Sequence, residues 1–290
     1  MKDAVAAAMV AAVGAMMAVP TAAQEESMTR NSKVFDYFQA AADETVPKLA
    51  WNASTEEEHA AWRKRMDAKL RELLGRTPDP VPLEVDWAEK METDAFVRHK
   101  IYVRSERNYW VPAYYFVPKG LKGETPAIVC LHGHSGIMPY IGEGTEAERE
   151  KSRAHALDYA VYLAEHGYIT LAAVQRGWNE TRHDSRHDTP HSCHRVTMDA
   201  FLIGMTPVGL RTWDAMRLVD FLETQAEVDS SRIGAAGLSG GGTTTLFFAA
   251  QDQRIKAALV AGYFCTFRDS IYTIHHCICN CVPHIMEWAE

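Results

Sequence analysis

The chain has 290 residues, 47% of them apolar, and a formal net charge of -8. This length and apolar content suffice for a large buried core, which is typical of one domain with additions. The acidic balance provides no basic patch for nucleic acid, so we expect a small-molecule or uncharged polymer ligand.

Residues 1–23 have the composition of a secretory signal peptide. They are mostly Ala, Val and Met, with Lys2 near the front and small residues at 21–23 before Gln24. The apolar stretch is too short and too rich in alanine for a membrane span, and the alternative is an N-terminal amphipathic helix. We therefore expect a secreted or periplasmic protein without a membrane partner.

Residues 24–94 predict an N-terminal helical extension. Residues 54–57 form a capping box, apolar residues follow at helical spacing as far as Leu74, and Gly75 is a suitable stop. The proline-rich residues 77–82 exclude regular structure there. The sequence of this extension contains no candidate catalytic or binding residue.

Residues 95–290 predict one large domain of the α/β class. Two aromatic-rich segments, 96–103 and 109–117, indicate an antiparallel hairpin at a sheet edge. Continuous apolar strands and intervening helices follow: strands 127–131, 168–174, 233–238 and 255–264, and helices 145–166, 208–224 and 243–251. This alternation predicts a doubly wound, mostly parallel sheet with its ligand site at the carboxyl ends of the strands.

A serine flanked by glycines directly follows the strand at 233–238. Gly237, Ser239 and Gly241 form a G-x-S-x-G pattern between a strand and a helix. The neighbours two positions away must lack side chains, because the backbone reverses too sharply to leave room for Cβ atoms. Such a turn would expose the Ser239 hydroxyl beside the Gly240 N–H.

A second loop, His132–Gly136, follows an earlier buried strand. Together with the glycine turn, it resembles the α/β-hydrolase superfamily. The stretch from Gly209 to Cys265 resembles the acetyl xylan esterase and dienelactone-hydrolase-like branch. The resemblance implies that Ser239 is the nucleophile and that the N–H groups of Gly240 and His134 form the oxyanion hole. It further implies hydrolysis of carboxylic esters through an acyl-enzyme, with acetyl esters of carbohydrates or similar small esters as substrates and no cofactor.

The resemblance fails at the carboxyl-terminal end of the sequence. In this superfamily the catalytic acid follows a seventh strand and the histidine an eighth, whereas few residues follow Phe264. We therefore expect only the first six strands of the fold, with the two C-terminal strands absent. The alternative keeps catalysis within this chain, with Asp269 as acid and His275 or His276 as base, because the order Ser, Asp, His is then preserved.

Two runs of histidine and cysteine suggest metal sites at first sight. Cys277, Cys279 and Cys281 alternate at a spacing that differs from the C-x2-C pair of zinc sites, so buried thiols or a disulfide are the favoured interpretation. The histidine-rich residues 179–194 predict a solvated loop near the site entrance. We expect no metal in either run.

Two other functions remain open at this point. Peptidases of the prolyl oligopeptidase type share the glycine turn and the sheet, although residues 24–94 are too few for their propeller domain. A non-catalytic or truncated hydrolase fold that binds a ligand is the other alternative. Arg176, at the end of a strand, is expected to pair with a carboxylate and connect loops rather than to bind substrate.

Overall fold

The computed structural model describes residues 32–182 and 191–289. The predicted signal peptide, residues 1–23, lies outside the described residues, as do His183 and His187. The chain divides into two compact units after Glu44, and the helix α1 (Val34–Glu44) belongs to the first. Within the described ranges, no helix has the length and apolar character needed to span a membrane.

The second unit is built on one seven-stranded sheet. Its strands are β1 (Val85–Glu92), β2 (Phe96–Glu106), β3 (Tyr109–Pro118), β4 (Thr125–Leu131), β5 (Ile169–Ala173), β6 (Val228–Leu238) and β7 (Ile255–Ala261). They lie in the order β1-β2-β3-β5-β4-β6-β7. The first three pair antiparallel, as do β3 and β5, whereas β5, β4, β6 and β7 are parallel. The α/β-hydrolase type of sheet predicted from the sequence is confirmed.

The strand β1 lies in the segment that was predicted to be helical. It pairs with β2 and forms the sheet edge. The predicted hairpin of β2 and β3 is present, but it lies one strand away from the edge. Its residues are almost all exposed and many are charged, which is typical of edge strands and obscures the alternating pattern. Trp87 contacts the buried rings of Tyr115 and Phe221.

Among the described residues of the second unit, six helices flank the sheet or extend from it. They are α2 (Glu56–Leu73), α3 (Glu146–Ala154), α4 (Tyr159–Glu165), α5 (Cys193–Leu202), α6 (Pro207–Leu222) and α7 (Gly240–Gln251). The single helix predicted at 145–166 is wrong, because Ala156 has a φ of 53° and separates α3 from α4. The helix α5 was not predicted, since its sequence follows the polar histidine-rich run. Beyond Ala261, the described residues form only short helical turns.

The core has a layer on each face of the sheet. On one face, Leu218 and Leu222 of α6 pack on side chains such as Val129 and Leu171. On the other face, residues of α4 pack on Cys130 and Phe116. Alternate residues of β4 therefore point into opposite layers, as expected for a parallel strand that is covered on both faces.

A buried ion network connects β5 to α6. The Arg176 guanidinium, directly after β5, binds the Asp214 carboxylate of α6 through Nε at 2.7 Å and Nη2 at 2.8 Å. It also contacts the Glu106 carboxylate and lies 3.8 Å from the centre of the Tyr109 ring. The structural role predicted for Arg176 is confirmed. On α6, the charged residues Arg211, Asp214 and Arg217 are all buried.

Removal of the Asp214 charge tests how much this network stabilises the fold. Asp214→Asn leaves a buried guanidinium with less compensation, so we expect a loss of about 3 kcal/mol or more in the free energy of unfolding, measured by urea denaturation. The matched control is Asp199→Asn, which breaks the exposed Arg195–Asp199 pair on α5 and is expected to cost less than about 1 kcal/mol. Equal losses in the two variants would contradict a stabilising role for the buried network.

Candidate active site

The turn between β6 and α7 has the strained geometry of a nucleophile elbow. Ser239 adopts φ 56° and ψ -117°, a conformation that costs a non-glycine residue about 1–3 kcal/mol. Hydrogen bonds on both sides hold it there: the Ser239 N–H donates to the Ala261 carbonyl at 2.8 Å, and its own carbonyl accepts from the Thr243 N–H at 2.9 Å. The neighbouring elements therefore determine the direction of the serine side chain.

The two glycines of the motif are required by close backbone contacts. A Cβ atom on Gly241 would lie 1.8 Å from the Leu131 carbonyl oxygen, and one on Gly237 would lie 2.3 Å from the Gly241 carbonyl oxygen. Both separations are far below van der Waals contact. The steric reason inferred from the sequence is thus present, and the first turn of α7 packs directly against the end of β4.

Two segments that carry backbone amides border the half-buried Ser239. The Gly240 N–H is the first amide of α7 and has no acceptor within the helix, and the helix end adds a partial positive charge. The loop after β4 approaches the serine from the other side, because a Cβ atom on Gly133 would lie 3.3 Å from the Ser239 Cβ. No described carbonyl accepts a hydrogen bond from the next amide in that loop, the His134 N–H.

The buried His132 side chain holds this loop in place through hydrogen bonds. Its buried ring accepts a hydrogen bond from the Gln175 N–H at Nε2, 3.0 Å away, and its Nδ1 donates to the Gly133 carbonyl at 2.8 Å. Burial lowers the pKa of His132 to about 3, so the ring stays neutral. The Gln175 side chain in turn accepts from the Thr244 hydroxyl of α7 at 2.6 Å. His132 therefore holds the loop in place and does not face the site.

The His134 ring lies across the start of α7. A Cβ atom on Gly240 would be 2.7 Å from the His134 Cε1, and the ring centre is 5.3 Å from that of Trp178. Its Nε2 lies 3.4 Å from the Cys279 Sγ. Burial alone would lower the pKa of His134, but hydrogen bonds and charge from Cys277 and Cys279 raise it to about 9.

The acid and base candidates inside this chain are not brought together. The Asp269 carboxylate is exposed and accepts from the Thr266 hydroxyl at 2.9 Å, and His275 is exposed. The His276 Nε2 lies 3.2 Å from the Ser270 Oγ. Among the described residues, no hydrogen bond joins Asp269 to either histidine or either histidine to Ser239.

The six cysteines are all present as thiols. Cys130 lies in the core, where burial raises the pKa of its thiol, as its position in an apolar strand predicts. The Cys277–Cys281 run does not stand alone, because the fold brings Cys279 to His134 and to Cys193 of α5. No single spacing in the sequence signals this proximity, since the residues come from three distant segments.

The chain matches a known protein family over most of its length. The model of the acetyl xylan esterase (AXE1) family matches residues 56–276, which is more than half of the chain. The chain belongs to this family. Membership places it in the α/β-hydrolase superfamily and confirms the resemblance inferred from the glycine turn and the loop after β4.

Curated proteins related to this AXE1 family member are longer than the matched region. The putative hydrolase YtaP of Bacillus subtilis is 25% identical over 191 residues, which cover 66% of this chain and 61% of YtaP. The uncharacterized protein YcjY of Escherichia coli is 33% identical over 100 residues, or 34% of this chain and 27% of YcjY. The chain thus spans less than two thirds of the length of these relatives.

Solved structures show the same fold. A putative acetyl xylan esterase from Bacteroides fragilis superposes with a TM-score of 0.78 at 17% identity, covering 90% of this chain and 71% of its own. A glucuronoyl esterase from Solibacter usitatus gives a TM-score of 0.52, also at 17% identity, over 74% of this chain and 62% of its own. The fold is therefore retained at low sequence identity.

Alanine substitution of the elbow glycines tests the packing that shapes this family member's site. Gly241→Ala places a methyl group on the Leu131 carbonyl, so we expect a loss of about 3 kcal/mol or more in the free energy of unfolding. The control is Gly234→Ala in the middle of β6, where the added Cβ would lie 3.2 Å from the Ala257 carbonyl oxygen, and about 1 kcal/mol is expected. If Gly241→Ala unfolds in urea at the same concentration as the control, the close-contact account is wrong.

Proposed function

We propose that this chain hydrolyses carboxylic esters through an acyl-enzyme on Ser239, with acetyl esters of carbohydrates as the substrate class. One observation supports the proposal: Ser239 occupies a strained turn directly before the first amide of a helix, and it packs against the loop that carries the His134 amide. Nucleophile and oxyanion donors in this arrangement are what acyl transfer by serine requires.

In this mechanism the Ser239 Oγ forms a bond to the ester carbonyl carbon and gives its proton to a histidine. The carbonyl oxygen becomes an oxyanion that accepts hydrogen bonds from the Gly240 and His134 N–H groups. The alcohol then leaves with the proton from the histidine, and water releases the acyl group by the reverse route. Loss of one oxyanion donor typically raises the barrier by about 3 to 4 kcal/mol.

The histidine and the acid of this mechanism stay unassigned. Asp269 with His275 or His276 keeps the expected order along the chain, but these side chains make other contacts. The proposal therefore rests on Ser239 and the two amides. Substitution of the three candidates shows whether any of them takes part.

The names of two structural relatives favour carbohydrate esters over peptides as the substrates. The Bacteroides fragilis and Solibacter usitatus proteins with this fold are named as a putative acetyl xylan esterase and a glucuronoyl esterase, and both names refer to esters of carbohydrates. The net charge of -8 does not favour the binding of polyanionic substrates. A secreted or periplasmic location, inferred from residues 1–23, is consistent with a polymer substrate.

Ser239→Ala is the direct test of this function. We expect the 290-residue chain to hydrolyse 4-nitrophenyl acetate and to release acetate from acetylated xylan, and the variant to lose about 10⁴-fold or more in turnover. The control is Ser231→Ala at the opposite end of β6, where the hydroxyl donates to Asp229 at 2.6 Å. Its activity is expected to equal that of the unsubstituted chain.

Two outcomes would contradict the proposal. If Ser239→Ala keeps turnover within tenfold of the unsubstituted chain, another residue is the nucleophile. If the folded chain hydrolyses neither ester, this chain is not a complete esterase and the non-catalytic binding alternative gains support. Asp269→Asn, His275→Gln and His276→Gln, measured in the same assay, show whether the acid and base lie in the chain.

A further inference from the structure

Four side chains with metal-binding atoms meet beside the elbow. His134 comes from the loop after β4, Cys193 from the start of α5, and Cys277 and Cys279 from the segment after β7. One ligand atom from each of the four lies within 4.8 Å of those of the other three. The Cys279 Sγ is 3.3 Å from the Cys277 Sγ and 3.4 Å from the His134 Nε2.

The separations of 3.3 Å and 3.4 Å are close to those of ligands around one tetrahedral ion. Zinc binds thiolate sulfur at about 2.3 Å and imidazole nitrogen at about 2.0–2.1 Å, so tetrahedral angles separate the ligand atoms by roughly 3.5–3.8 Å. Three sulfurs and one imidazole nitrogen form a recurrent structural zinc set. Hard cations such as Mg²⁺ and Ca²⁺ prefer oxygen ligands, so the donor set selects a thiophilic metal.

A buried cation supplies a second, independent indication. The Arg211 side chain of α6 is 3% exposed, and its Nη1 donates to the Cys279 Sγ at 3.2 Å. Its remaining described acceptors are the Arg176 carbonyl and the Cys193 Sγ at 3.9 Å, and no carboxylate of the described residues pairs with it. Three thiolates around a divalent ion carry one net negative charge, which the Arg211 guanidinium neutralises. An uncompensated buried guanidinium would be costly.

We propose that His134, Cys193, Cys277 and Cys279 bind one Zn²⁺ ion. The protein fills all four positions, so no position stays open for water or substrate, and the ion acts as a structural centre rather than as the catalyst. The ion would connect three segments: the loop after β4, the N-terminus of α5 and the chain after β7. The His134 Nε2 is the coordinating atom, since it is the one that faces the Cys279 sulfur.

The sequence did not reveal this metal site because its four ligands come from three separate segments of the chain. Cys277 and Cys279 are separated by one residue, which alone does not match a zinc motif. Cys193 and His134 are far from them in the chain and join the cluster only through the fold. Cys281, in the same alternating run, is not part of the cluster and makes a matched control.

Zinc content and ligand identity can be measured directly on the full chain. We expect one equivalent of zinc after purification under reducing conditions with zinc present, and X-ray absorption spectra with three sulfurs near 2.3 Å and one nitrogen near 2.0 Å. Cys279→Ser should weaken zinc retention against a chelator by about 100-fold or more, whereas Cys281→Ser should bind zinc like the unsubstituted chain. Zinc should also raise the Tm.

The spectrum of the unsubstituted chain keeps the test decisive if Cys279→Ser does not fold. The proposal is overturned if the folded, reduced chain binds no zinc, or if the bound zinc is coordinated by oxygen and nitrogen without sulfur. A disulfide among the three cluster cysteines in the reduced protein would also overturn it. Equal zinc retention in Cys279→Ser and Cys281→Ser does so as well. Ser239→Ala should bind zinc normally, so failure of the zinc site and failure of the proposed esterase function are distinguishable.

Discussion

The positive φ of Ser239 is the constraint on which the site depends. It turns the chain from β6 into α7 within one residue and places the serine beside the first amide of the helix. The turn fits only because Gly237 and Gly241 have no Cβ and because the Ala261 carbonyl of β7 accepts the Ser239 N–H. Three adjacent strands, β4, β6 and β7, therefore determine the conformation of this turn.

Buried charges connect the segments that surround this turn. Arg211 donates to the Arg176 carbonyl and to the Cys279 sulfur, and Arg176 itself pairs with Asp214. The end of β5, the helix α6 and the chain after β7 are thus joined through two guanidinium groups. Loops at the carboxyl end of a parallel sheet are usually its most mobile part, and these contacts hold them against the elbow. The proposed zinc ion would strengthen the same connection.

The sequence predicts local features of this protein well and long-range features poorly. The elbow at Ser239 and the parallel strands follow from short patterns, and the structure contains them. The capping box before α2 was predicted at residues 54–57 and lies one residue later, at Thr55 and Glu58. The strand β1 was missed because an exposed, charged edge strand has no apolar alternation. The burial of Asp214 was not predicted, because helical periodicity does not reveal a buried partner such as Arg176. The cluster around Cys279 joins residues that only the tertiary fold brings together.

The most direct measurement of the central claim is a crystal structure of the chain after reaction with an organophosphonate that mimics the tetrahedral intermediate. The account predicts a covalent bond from the Ser239 Oγ to phosphorus, with the phosphonyl oxygen about 2.7–3.1 Å from the Gly240 and His134 amide nitrogens. An adduct on another residue, or a phosphonyl oxygen that receives no hydrogen bond from these two amides, would contradict it.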